Sequence, residues 1–166
     1  IDAIPALERA EALAPGNPST AYNLGLAQWK DEQRAEAART WNHALRRSPD
    51  APRLLMAAGI TRSLPWPDIE NDPARGVELA KRLVQTQPAS PNAMLLLAAA
   101  TLAAGDHPAS AEALNRATEM KADMGAIRLM QAMLIAELGN RDRGAELYKR
   151  VRPNITQANM LRQGLL

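Results

Sequence analysis

The chain repeats a pattern about every 34 residues, and this periodicity restricts the possible folds more than any other feature. When Gly105 is aligned with Gly139, the apolar stretches before them coincide, and Ala111 falls on Ala145. Each unit contains an apolar stretch, a Gly suited to a left-handed turn, a short polar link and a second amphipathic stretch. The period predicts stacked helical hairpins, because one hairpin cannot bury its apolar face alone.

The composition favours helices over sheets. Ala and Leu account for 33 and 22 of the 166 residues, whereas Val and Ile together account for only 10. Straight or small side chains lose little rotamer freedom in a helix, whereas strands are enriched in β-branched residues. We therefore expect an all-α protein that forms one repeat domain.

The clearest unit carries a recognisable motif. A Leu-Gly pair lies in its first helix, a small residue, a large aromatic and an Ala lie in its second, and a Pro follows. These positions hold Leu24, Gly25, Ala37, Trp41, Ala44 and Pro49. The unit resembles the tetratricopeptide repeat family. The resemblance implies a right-handed superhelical solenoid of antiparallel helix pairs, in which the first helices line a concave surface.

The same spacing divides the chain into units. We expect a proline-containing insertion at 63–74, with Trp66 folded back onto the adjacent repeat, and we expect the chain to be a fragment of a longer array. Glu32 stands where the family pattern usually has Gly. The predicted units are residues 1–17, the second helix of a truncated repeat; the repeats 18–51, 52–90, 91–124 and 125–152; and a C-terminal capping segment, 153–166.

The sequence contains no pattern typical of catalysis or metal binding. There is no Cys, and the two histidines, His43 and His107, lie too far apart in the repeat plan to share a ligand. Neither a Gly-rich phosphate loop nor a nucleophile-elbow sequence is present. We therefore expect no enzymatic activity, no catalytic residue, no metal and no cofactor.

Charge and hydropathy narrow the class of partner. Twenty basic and eighteen acidic residues give a net charge of +2, which does not indicate a nucleic-acid-binding surface. No apolar run reaches the roughly 18 residues that a bilayer-spanning helix needs, so we expect no direct membrane insertion. The class that remains is a protein or peptide partner.

The predicted first helices carry a second apolar stripe, whose members recur at i, i+4 and i+7. We interpret it as a concave groove that binds an apolar or amphipathic partner segment. The alternative is that the stripe is core, covered by neighbouring helices or by the C-terminal segment. The candidate partner-binding residues are Tyr22, Asn23, Leu26, Trp29, Met56, Ile60, Leu95, Leu102, Leu129 and Met133.

These patterns predict a non-enzymatic interaction scaffold or assembly factor. The alternative is a structural module that mediates self-association or docking to the rest of its own parent chain. In bacteria, similar arrays serve envelope assemblies such as polysaccharide export, pilus biogenesis and cytochrome maturation, so the resemblance implies a role of that kind. The compartment is left open, with a lean toward the bacterial periplasm.

Overall fold

A computed structural model gives the fold. It describes residues 3–64, 66, 68–122, 124–140, 142–146 and 149. These residues form helices joined by short connections, with one isolated β-bridge between Trp66 and Ile69. The helices are α1 (Ile4–Leu13), α2 (Pro18–Lys30), α3 (Arg34–Leu45), α4 (Pro52–Ser63), α5 (Pro73–Thr86), α6 (Pro91–Ala103), α7 (His107–Glu119) and α8 (Met124–Glu137). Residues 142–146 are also helical.

Local sequence sets where several of these helices begin. The side chains of Asn17, Asp72, Ser90 and Asp106 cap α2, α5, α6 and α7 by accepting hydrogen bonds from backbone N–H groups of the first turn. Each of these helices also has Pro at its first or second position, where the missing N–H leaves no intrahelical bond unmade. These caps are local signals, readable in the sequence, for where the helices start.

The helices stack in two rows. α2 packs on α3, α4 on α5 and α6 on α7 as antiparallel hairpins, and each hairpin contacts the first helix of the next. Neighbours in the row α2, α4, α6 and α8 contact one another directly. The predicted fold class is confirmed as an all-α solenoid of helical hairpins. The division into repeats stays a prediction, and the expected cap at 153–166 lies outside the described residues.

A glycine and a tryptophan explain the close approach of α2 and α3. The indole of Trp41 is 1% exposed, and its Nε1 donates a hydrogen bond to the carbonyl oxygen of Tyr22 at 3.2 Å. A Cβ atom on Gly25 would lie 2.1 Å from that Nε1. Only glycine therefore fits at position 25 while Trp41 fills the space between the two helices.

Left-handed residues reverse the chain between paired helices. Gly105 and Gly139 have φ values of +77° and +90°, as the sequence pattern predicts. Glu32, in the equivalent turn between α2 and α3, has a φ of +62°. The turn thus keeps its left-handed geometry at Glu32, although the Cβ atom makes this conformation less favourable than it is for glycine.

The insertion after α4 folds back onto the preceding repeat, as predicted for Trp66. The indole of Trp66 meets that of Trp29 edge to face, with ring centroids 4.9 Å apart. Trp29 in turn lies 5.8 Å from Trp41, so the three rings form one cluster. Beside them, Asp68 of the insertion forms an ion pair with Arg34 at 3.9 Å. These contacts tie the insertion to the turn between α2 and α3.

Candidate functional site

The candidate partner-binding residues lie on the row formed by α2, α4, α6 and α8. We call its accessible surface the trough and define it by Leu26, Met56, Leu95 and Met133. The first three side chains are half-buried, and Met133 is 36% exposed. Met56 and Leu95 occupy equivalent repeat positions, and Met133 corresponds to Leu26 in the repeat plan. Each of the four first helices therefore has one partly exposed apolar side chain, at one or the other of two repeat positions that lie a helical turn apart.

Other members of the predicted stripe lie in the core. Tyr22, Ile60 and Leu102 are 8%, 6% and 7% exposed. They pack within the apolar core clusters of the stack, so in this structure they support the trough and present little surface to a partner. Asn23 is exposed beside the trough. The side chain of Leu129 lies outside what the structure describes.

Close helix packing explains why part of the stripe is buried. A Cβ atom on Gly59 of α4 would lie 2.7 Å from Cδ2 of Leu96 on α6. The small residues Ala57 and Ala99 are themselves 2% and 5% exposed. Because such small residues let α4 and α6 approach closely, less of the stripe remains open than the helical spacing alone predicts.

Tyr22 connects the core to the rim of the trough. The guanidinium of Arg53 lies 5.5 Å from the centroid of its ring. Burial raises the pKa of the Tyr22 phenol above its usual value of 10.0, and the positive charge of Arg53 opposes that effect in part. The phenol is therefore held in its neutral form, with a cation across the ring face.

Trp29, another of the candidate partner-binding residues, belongs to the aromatic cluster. It is half-buried, it contacts both Trp41 and Trp66, and the Arg34 guanidinium lies 5.9 Å from its ring centroid. These neighbours belong to α3 and to the insertion. Replacing Trp29 would therefore change the packing of the insertion as well as any contact with a partner.

Sequence reasoning missed a cavity of 680 Å³, which we call the outer cavity. One stripe of α3 forms its floor, and the insertion forms part of its wall. Its residues come from separate elements, and the exposed position of His43 on α3 was the available signal. The lining residues are Glu11, Leu24, Ala35, Ala38, Arg39, Thr40, Asn42, His43, Arg46, Arg62, Asp68, Ile69 and Glu70.

The described side chains show no arrangement specific to metal chemistry. Within the ranges that the structure covers, no three His, Asp or Glu residues converge as a metal site requires. In the same part of the chain, no helix combines the length and the apolar character needed to cross a bilayer. The candidate binding surfaces of the described chain are the trough and the outer cavity.

Comparisons with known proteins agree with this architecture. The double mutant "MamA RS-1 ArsTM" superposes with a TM-score of 0.67 at 15% identity, covering 95% of this chain and 85% of its own. TTC0263, a thermophilic TPR protein in Thermus thermophilus, gives 0.63 at 18% identity, covering 98% and 87%. Identities this low show a shared fold alone. No curated protein matches the sequence.

The family assignment comes from the sequence. A model described as "Tetratricopeptide repeat" matches four overlapping segments that together cover more than half of the chain. The matched segments are residues 2–52, 22–61, 70–127 and 100–158. With its motif residues, stacked hairpins and family match, this chain belongs to the tetratricopeptide repeat family.

Proposed function

We propose that the chain is a non-enzymatic scaffold that holds an apolar or amphipathic segment of a partner protein in the trough. Tetratricopeptide repeats generally mediate protein–protein interaction or scaffolding. The observation that supports the specific mode is the presence of a partly exposed apolar side chain on each of α2, α4, α6 and α8. Two of the four defining residues are methionines, whose flexible thioethers adapt to partners of different shape.

The polar surroundings of the trough favour an amphipathic occupant. Asn23, Lys30, Arg53 and Asn92 are exposed residues of α2, α4 and α6. A helix that lays its apolar side on Leu26, Met56 and Leu95 would keep its polar side in water. The basic residues would contribute orientation more than affinity.

Glutamate substitutions in the trough test this proposal. Met56→Glu and Met133→Glu place a charge on the apolar surface, and we expect each to weaken partner capture on the order of tenfold. The matched control is Gln85→Glu, because Gln85 is exposed on α5 and lies outside the trough. The measurement is quantitative affinity capture from source cells with each variant, alongside circular dichroism. Equal capture by all variants would refute the trough as the binding site.

Self-association is a second candidate, favoured by apolar side chains near the two ends of the described array. Leu13 is 87% exposed and Leu138 is 64% exposed. Burying both against a second copy would remove apolar surface from water. Sedimentation across a concentration series tests it, and a mass that stays monomeric throughout excludes this function.

We also propose service in a bacterial envelope assembly, which rests on family resemblance and composition. The alanine-rich usage, with more Arg than Lys, is typical of high-GC bacterial genomes. Fractionation of source cells with an antibody to the chain tests the assignment. Recovery with envelope complexes supports it, and recovery only as a free protein contradicts it.

A further inference from the structure

Four charged side chains line the outer cavity without forming ion pairs. Glu11, Arg46, Arg62 and Glu70 all contribute to its surface, and none takes part in a salt bridge among the described residues. Two are positive and two are negative, so the cavity favours neither a strongly anionic nor a strongly cationic ligand. Unpaired charges of both signs are complementary to a ligand that carries both signs.

Two of these side chains also bury polar atoms that have no hydrogen-bond partner among the residues that the structure describes. Oε1 of Glu11 accepts a hydrogen bond from the backbone N–H of Gly16 at 2.8 Å, whereas its Oε2 is buried without one. Nη1 of Arg62 donates to the backbone oxygen of Glu70 at 3.0 Å, whereas its Nε is buried without an acceptor. An unsatisfied buried group costs about 1–3 kcal/mol. These two atoms are closed to solvent, so a ligand in the cavity would contact the other polar atoms of its charged side chains.

One of the two unpaired cations, Arg46, lies beside His43, which does not form an ion pair with it. Nη2 of Arg46 contacts Nδ1 of His43 at 2.6 Å. Because a guanidinium only donates hydrogen bonds, the imidazole nitrogen is the acceptor in this contact. Arg46 is exposed, so its positive charge is accessible to an incoming carboxylate.

The wall on the insertion side is held in place by its own contacts. The backbone N–H of Asp72 donates to the carbonyl oxygen of Arg62 at 3.2 Å, and Asp68 pairs with Arg34. Trp66 packs against Trp29 next to these bonds. A wall that is already ordered loses little conformational entropy when a ligand binds.

We propose that the outer cavity is a second binding site, which takes an extended peptide segment carrying both acidic and basic side chains. It is formed by α3, the end of α1, the insertion and two residues of first helices, Leu24 and Arg62, neither of which is among the residues that define the trough. The inference therefore does not depend on the proposed function of the trough.

Charge-neutralising variants and synthetic peptides test the site. The probe is a short peptide in which Glu and Lys alternate. Residues four apart then carry like charges, which disfavours a helix. We expect the unmodified protein to bind it in isothermal titration calorimetry, and Arg46→Gln and Glu70→Gln each to weaken binding on the order of fivefold. Both residues are exposed, so folding is retained, which circular dichroism checks.

Matched controls separate this site from the trough and from general charge attraction. Arg75→Gln removes a positive charge from α5 outside the cavity, and Leu26→Glu alters the trough; both are expected to bind the probe as the unmodified protein does. All-Glu and all-Lys peptides are expected to bind more weakly. No binding by the unmodified protein, equal binding of all three peptides, or loss of binding only in Leu26→Glu would each overturn the proposal.

Discussion

Two glycines at equivalent repeat positions contact side chains of very different rigidity. Gly25 lies against the Trp41 indole, which is buried and hydrogen-bonded, whereas Gly59 lies against the terminal methyl groups of Leu96. An added Cβ at position 25 must displace a rigid ring. At position 59 it displaces the end of a flexible chain. The same repeat position should therefore tolerate substitution differently in the two repeats.

We expect Gly25→Ala to lower the free energy of unfolding by about 3 kcal/mol, the upper part of the usual range for overpacking. Gly59→Ala is expected to cost less than about 1 kcal/mol, because the improved helix propensity of Ala offsets a small shift of Leu96. Urea denaturation of both variants measures the difference. Equal losses of stability would show that the rigidity of Trp41 does not limit this position.

Tyr22 makes stability depend on pH in the alkaline range. Burial raises the pKa of its phenol in the folded state above 10.0, so the folded chain keeps a proton that the unfolded chain releases. The contribution of the Tyr22 phenol to the free energy of unfolding is therefore complete below pH 10 and is lost as pH rises through the folded-state pKa. We expect unfolding free energy to fall more steeply with alkaline pH in the unmodified protein than in Tyr22→Phe.

The titration of Tyr22 itself can be followed in the Tyr148→Phe variant, because the chain contains only two tyrosines. In that variant, Tyr22 alone contributes to the phenolate absorbance, and its titration midpoint is expected above that of free tyrosine. A midpoint at or below the ordinary value would show that the charge of Arg53 outweighs burial.

At the scale of elements, the sequence predicts the hairpins better than it predicts their exposed surface. Helix starts follow from local caps, and Trp66 folds back because a large aromatic ring gains by burial. The exposure of Ile60 and Leu102 depends instead on how closely neighbouring helices pack, which one helix's spacing does not encode. The outer cavity combines residues distant in sequence, so no local pattern indicates it. Whether the trough residues bind a partner stays a prediction.

The packing of the insertion can be tested by replacing Trp66. Trp66→Ala removes an edge-to-face aromatic contact and a half-buried ring, so we expect the free energy of unfolding to fall by about 1–3 kcal/mol. Trp66→Phe keeps an aromatic ring at the position and should recover part of that loss. Chemical denaturation followed by circular dichroism measures both. Leu13→Ala is the exposed control, and a Trp66→Ala variant no less stable than this control would contradict packing of the insertion.

At the scale of the whole molecule, stability is distributed unevenly along the stack. In a repeat array, each helix pair is stabilised mainly by its immediate neighbours. α1 contains no buried residue, whereas α4 and α6 are buried over most of their length and contact helices on both sides. The middle of the array should therefore open last.

Native-state hydrogen exchange tests this gradient. We expect backbone amides of α4 and α6 to exchange slowest and those of α1 fastest, because local opening of α1 exposes little apolar surface. The Trp29, Trp41 and Trp66 cluster joins α2, α3 and the insertion, so these elements should exchange as one unit. In Trp66→Ala, protection is expected to fall in α2 and α3 while α6 and α7 keep theirs. A uniform loss of protection along the chain would instead indicate one cooperative unit, in which neighbour contacts do not set local stability.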